Sequence, residues 1–123
     1  MINIIILLFV LHWIGDFVCQ TRWMADNKSK NLLALTLHVS VYSFVIFVGL
    51  LTVSNYFSIE GFLQFMGANF MLHWITDITT SQFTKLFWLN KDMHKFFIVV
   101  GFDQMIHAIC LVVTANCFLY LIP

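Results

Sequence analysis

The chain has 123 residues, which favours a single domain over residues 1–123. Hydrophobic residues make up 61% of it and charged residues 10%, against about 25% charged residues in soluble domains, so polar side chains are too few to cover a water-exposed surface. Six Lys and Arg balance six Asp and Glu, which argues against a nucleic-acid partner. We therefore expect an all-α membrane protein in contact with a lipid bilayer.

Four apolar stretches are each long enough for a transmembrane helix, which needs about 20 mainly apolar residues. The first has no Lys or Arg before it and no small-residue cleavage site after it, so we interpret it as a retained helix rather than a signal peptide. The pattern predicts a four-helix transmembrane bundle that runs up, down, up and down. The stretches are residues 2–20, 32–53, 59–79 and 96–122.

A further helical signal lies in the linker between the third and fourth stretches. Phe83, Leu86 and Phe87 recur at i, i+3 and i+4, with Lys85 between them. This spacing is typical of a short amphipathic helix in the membrane interface. We predict such a separate helix, the alternative being that the third transmembrane helix simply continues.

The six positive charges all lie in two linkers on the same side of the predicted bundle. Cytoplasmic loops carry an excess of Lys and Arg, so both linkers should be cytoplasmic and both chain termini outside. The charges are Arg22, Lys28 and Lys30 in residues 21–31, and Lys85, Lys91 and Lys95 in residues 80–95.

One six-residue segment occurs twice. Residues 11–16 (LHWIGD) recur as residues 72–77 (LHWITD), and each copy ends an odd-numbered helix before a basic linker. We interpret the chain as two pseudo-repeated helical hairpins related by a twofold axis along the membrane normal. Local convergence of the six positions is the alternative.

Seven His and Asp residues lie inside the predicted spans, where ionisable groups are costly. An Asp at the centre of a span costs about 2.5–3.5 kcal/mol, so these residues must be paired, protonated or bound to metal. Residues four apart share a helix face, and the chain has three such pairs at the same predicted depth, in the cytoplasmic leaflet. The seven are His12 with Asp16, His73 with Asp77, Asp103 with His107, and His38.

Imidazole and carboxylate together suit a divalent transition metal, for which zinc is our first choice. All seven residues are candidate metal ligands, so either two ions share them or one ion uses three or four while the others orient those ligands. Asp16, Asp77 and Asp103 are also the candidate catalytic groups. A metal-free network of His–Asp hydrogen bonds and a proton or ion pathway are the alternatives.

Several of these segments resemble the family catalogued as domain of unknown function 3307, small membrane proteins of bacteria and phages. The resemblance covers nearly the whole chain and implies a four-span protein of the bacterial inner membrane, without an activity. More loosely, the His/Asp pattern is similar to predicted membrane-bound metal-dependent hydrolases. The matching residues are 12–25 (HWIGDFVCQTRWMA), 27–30 (NKSK), Ala34, His38, Tyr42, His73, Asp77, Phe102, Asp103, Gln104 and His107.

The leading hypothesis is a metal-dependent hydrolase embedded in the membrane and facing the cytoplasm. Zinc lowers the pKa of a bound water to about 7, and a nearby Asp can act as general base. The basic linkers should attract an anionic headgroup, so we expect a phospholipid or another phosphate ester as substrate. The alternatives are a protein that handles metal ions or protons, and a small membrane partner or inhibitor protein with a structural His/Asp network; each is compatible with a homo-oligomer.

Overall fold

The computed structural model describes residues 2–119, and within them the chain forms five α-helices and no strand. The all-α prediction is confirmed. The predicted end of the fourth span, residues 120–122, and the chain ends lie outside the described residues. The helices are α1 (Ile2–Trp13), α2 (Arg22–Asn27), α3 (Leu32–Leu51), α4 (Ile59–Leu89) and α5 (Met93–Phe118).

Polar side chains set the starts of α2 to α5. The first N–H groups of a helix have no partner inside it, so a side-chain oxygen just before the helix stabilises its first turn. Thr21 accepts from the N–H of Met24 before α2, and Asn31 accepts from that of Leu33 before α3. Ser58 and Asp92 do the same for α4 and α5.

Helix α4 corrects one prediction. It continues unbroken to Leu89, so the separate interfacial helix expected around Phe83 is wrong. The threonines at the expected boundary do not interrupt the helix, because the hydroxyls of Thr79 and Thr80 bond to carbonyls one turn earlier. At about 1.5 Å per residue, the 31 residues of α4 span about 46 Å.

The four long helices form a closed ring. Helix α1 contacts α3, α3 contacts α4, α4 contacts α5, and α5 returns to α1. Short connections at residues 52–58 and 90–92 reverse the chain between successive helices. After α1 the helix widens into one π-helical turn, Ile14–Val18, which packs against α3.

The interior of this bundle has an apolar end and a polar end. Leu8, Ile46, Phe65 and Leu111 belong to the apolar cluster, while the His and Asp residues are buried at the other end. Large apolar side chains instead face outward, such as Ile59, which is 80% exposed. This distribution is the reverse of a soluble protein, in which buried charges are rare.

Within the described part of the chain, two helices are long and apolar enough to cross a membrane, α3 and α5. The apolar segment Asn3–Val18, formed by α1 and the π turn, is shorter. Helix length and composition alone therefore support two crossings, rather than the four expected from the sequence.

Candidate metal centre

Four buried side chains converge at the polar end of the ring. Asp16 comes from the π turn, His38 from α3, and His73 and Asp77 from adjacent turns of α4. The π turn contributes to this because both Gly15 and Asp16 face inward from it. Each of the four convergent side chains is at most 4% exposed.

The ligand atoms of these four residues are closely spaced. Nε2 of His38 lies 3.0 Å from Oδ1 of Asp16 and 3.2 Å from Oδ2 of Asp77. It also lies 3.3 Å from Nε2 of His73. Nε2 of His73 in turn lies 3.4 Å from Oδ1 of Asp16 and 3.6 Å from Oδ2 of Asp77. A tetrahedral zinc ion with bonds of about 2.0–2.1 Å holds its ligand atoms about 3.3 Å apart, so these distances fit such an ion.

Hydrogen bonds from neutral imidazoles to the two carboxylates account poorly for this arrangement. A neutral imidazole has one N–H, and a carboxylate has none. The Nε2 atoms of His38 and His73 point at each other and at the same two carboxylate oxygens, so at most one short contact per N–H is a hydrogen bond. A bound cation would instead satisfy all four atoms at once.

His107 lies against the other oxygen of Asp77. Its Nε2 is 3.1 Å from Oδ1 of Asp77. Single ligand atoms from Asp16, His73, Asp77 and His107 all lie within 4.8 Å of one another. The protein thus contains a buried Asp/His group that could hold a metal ion, in which His107 serves as a further ligand or orients Asp77.

His12 and Asp103 lie beside this group rather than in it. Nε2 of His12 is 3.9 Å from Oδ2 of Asp16 but 2.9 Å from Oε1 of Gln104. Gln104 in turn donates to Oδ2 of Asp16 at 2.8 Å and to Oδ2 of Asp103 at 3.0 Å. The hydroxyl of Thr80 donates to Oδ1 of Asp103 at 2.5 Å. Of the seven predicted residues, five therefore converge and two form a flanking network.

Lys28 is the residue that the sequence analysis missed. Its Nζ lies 2.8 Å from Oδ2 of Asp77, and its side chain is 19% exposed. Burial alone would lower the pKa of Lys28, but the carboxylates of Asp77 and Asp16 outweigh it and raise that pKa above its ordinary value. Lys28 therefore brings one positive charge to the carboxylates at the polar end of the bundle.

The two sequence repeats make equivalent contacts. In the first half, Asp16 meets His38 of the next long helix at 3.0 Å. In the second half, Asp77 meets His107 of the next long helix at 3.1 Å. Each repeated Asp thus contacts a His from the long helix that follows it.

A family model described as "Protein of unknown function (DUF3307)" matches residues 4–122. The match covers nearly the whole chain and confirms the resemblance found in the sequence. No curated protein and no solved structure matches the chain.

Proposed function

We propose that this chain, which belongs to the DUF3307 family, is a membrane-embedded, metal-dependent hydrolase. The family description assigns no activity, so the proposal rests on the structure of the site. One observation carries the proposal. The ligand atoms of Asp16, His38, His73 and Asp77 converge with the spacing of a tetrahedral ion, at distances of 3.0 to 3.6 Å from the two imidazoles.

Burial and charge support a membrane location with four crossings. The bundle buries His and Asp and exposes Phe44, Ile59 and Phe97, a surface suited to lipid rather than to water. All Lys and Arg side chains lie at the end of the bundle near the polar site. By the excess of positive charge on cytoplasmic loops, that end faces the cytoplasm of a bacterial inner membrane, with both termini outside.

We assign one zinc ion to this group, with three of the residues Asp16, His38, His73 and Asp77 as its ligands, so that the fourth position would stay open for water. When bound, zinc in such a site polarises a substrate oxygen and acidifies water at neutral pH. The flanking groups hold the ligands in place: Gln104 orients Asp16, and His107 orients Asp77.

Asp103 is the carboxylate left for proton transfer. It lies outside the convergent group, is joined to it through Gln104, and lines a cavity next to the site. In hydrolysis of a phosphate ester, a water oxygen bonds to phosphorus and the bond from phosphorus to the alcohol oxygen breaks; Asp103 would accept the water proton and then give it to the departing alcohol oxygen. Asp16 and Asp77, expected as catalytic groups too, are candidate ligands in this scheme.

The test is the metal content of the detergent-purified protein after dialysis against zinc. We expect about one zinc per chain in the wild type, and loss of it in His73→Ala with the helical circular dichroism retained. His94→Ala, which changes an exposed histidine outside the site, should keep the metal. A wild-type protein without stoichiometric metal would contradict the proposal. With metal present, hydrolysis of a phosphate ester should stop in EDTA and return with zinc.

Lys28 favours a second candidate, a small membrane partner protein with a metal-free network. Its ammonium is already a cation 2.8 Å from Asp77 and could itself hold the carboxylates together. In that case the protein takes up no metal, and His73→Ala loses its fold rather than an ion. The same dialysis experiment therefore separates the two functions.

A further inference from the structure

Two adjoining cavities connect the polar site with the surface. The inner one has a volume of about 210 Å³ and is lined by Asp16, Asp103 and Gln104 among others. The outer one, of about 360 Å³, lies between α2, the end of α4 and the start of α5. The two cavities share five of their lining residues, so together they form one recess. The shared residues are Ala25, Lys28, Ser81, Thr84 and Phe96.

The inner part of the recess holds polar groups that lack a partner. The hydroxyl of Ser81, a residue only 5% exposed, is buried without a hydrogen bond to any of the described residues 2–119, and so is the amide oxygen Oε1 of Gln20. Buried polar atoms are nearly always paired, so these two point to a ligand. Lys28 adds an ammonium with three N–H donors, which are more than its contact with Asp77 uses.

The outer part of the recess is mainly apolar. Trp88, Leu89 and Phe96 line it, and Trp88 and Leu89 are 59% and 67% exposed. Lys85 adds a second positive charge, while the one carboxylate there, Asp26, lies 3.7 Å from Arg22. The recess is therefore amphiphilic: the ammonium of Lys28, hydroxyl groups and the carboxylates of Asp16 and Asp103 line its inner part, and aromatic groups line its mouth.

We propose that the recess binds a phosphate monoester that carries an apolar chain. The phosphate oxygens lie between Lys28 and the hydroxyl of Ser81, and the chain lies against Trp88 and Phe96. A phosphate monoester suits both orphan atoms, because its oxygens accept from Ser81 while a protonated oxygen donates to Gln20. An ionised carboxylate could not donate. The binding of this ligand does not depend on the proposed hydrolase function. Its role as the substrate does.

The test is binding of dioleoyl phosphatidic acid to the full-length protein in detergent, measured by native mass spectrometry. We expect Lys28→Met and Ser81→Ala each to weaken binding about tenfold, the loss of one strong hydrogen bond. Lys30→Met removes an equal charge from the same linker, outside both cavities, and should bind like the wild type. Ser81→Ala is the smaller change and decides the outcome if Lys28→Met does not fold.

Two further arms separate the sources of phosphate and the two proposals. Glycerol 3-phosphate, which has the headgroup without the chains, should bind much more weakly, and equal binding would overturn the role of the apolar mouth. His73→Ala should lose zinc but still bind phosphatidic acid. The experiment therefore distinguishes failure of the proposed zinc site from failure of the proposed lipid-binding recess. The proposal that the recess binds the phosphate would be overturned if Ser81→Ala bound phosphatidic acid as the wild type does, or if Lys30→Met lost as much binding as Lys28→Met.

Discussion

Asp77 shows at the scale of one residue how the bundle holds buried charge. Its Oδ2 faces the ammonium of Lys28 and Nε2 of His38, and its Oδ1 faces His107. The side chain is 1% exposed, so water cannot replace any of these partners. The carboxylate is therefore stabilised by groups from three other parts of the chain, together with His73 one turn earlier on α4.

Replacing Asp77 by Asn should destabilise the metal-free protein by about 2–4 kcal/mol, because Lys28 would remain partly buried without its counter-charge. The measurement is the free energy of unfolding in detergent with EDTA. Adding Lys28→Met should recover part of the loss, which gives a favourable coupling energy between the two residues. Additive losses in the double variant would show that the ion pair contributes nothing to stability.

The spacing of the His and Asp residues predicted that all seven converge, which holds for five of them; it did not predict that His12 and Asp103 lie beside the group, nor the contacts of Lys28 and Gln104. A four-residue interval fixes a common helix face, so His73 and Asp77 must point the same way. Lys28 lies in a connection, where no period fixes the direction of a side chain. Gln104 follows Asp103 directly, and its role depends on how closely α1 approaches α5.

At the scale of one element, the π turn sets the distance between α1 and α3. A Cβ added to Gly15 would lie 3.0 Å from Cδ2 and 3.2 Å from Cα of Tyr42. These contacts are tighter than nine in ten real ones, and the second involves backbone that cannot rotate away. A larger residue would therefore push α3 away from the turn where Asp16 enters the site.

Gly15→Ala should lower the free energy of unfolding by about 1–3 kcal/mol, the usual cost of overpacking, and should weaken zinc binding by displacing Asp16. Gly67→Ala is the matched control, since a Cβ there meets nothing within 4 Å. The free energy of unfolding of that control should rise by up to about 1 kcal/mol, because Ala has a higher helix propensity than Gly. Equal effects in chemical denaturation would contradict the close contact of α1 with α3.

The start of α5 should depend on pH. The backbone N–H of Lys95, and then its ammonium, lower the pKa of Asp92 below its ordinary value. A lowered pKa adds stability above the unfolded value of about 3.9, and that stability is lost as pH falls through the folded pKa. The melting temperature of the wild type should therefore be higher than that of Asp92→Ala at pH 6, and the difference should disappear in acid. Asp92→Asn, which keeps an acceptor, should lose less at pH 6.

Helix starts were predicted better than helix ends. The starts of α3 and α4 agree with the sequence, because Asn31 and Ser58 mark them as N-caps. The end of α4 was missed because the boundary was drawn where apolar residues become sparse, near Thr79. Backbone hydrogen bonding decides where a helix ends, and a polar residue that bonds back to its own helix need not stop it.

At the scale of the whole molecule, the four crossings that we propose would place the connection at residues 28–31 and the turn at residues 52–58 on opposite sides of the membrane. In a background without native cysteines, Lys30→Cys should react with a membrane-impermeant maleimide only after the inner membrane is opened. Asn55→Cys should react in spheroplasts with the membrane intact. Labelling of both from one side would contradict the proposed topology.

The apolar cluster behind the histidines has a consequence for exchange of ligands. Leu8, Ile46, Phe65 and Leu111 are each at most 1% exposed and close the bundle on that side. A molecule that enters from the recess therefore meets a closed apolar wall behind the histidines. If the proposed hydrolase uses the recess for both entry and exit, a slowly leaving product would block the next molecule, so release rather than bond cleavage would set the turnover rate.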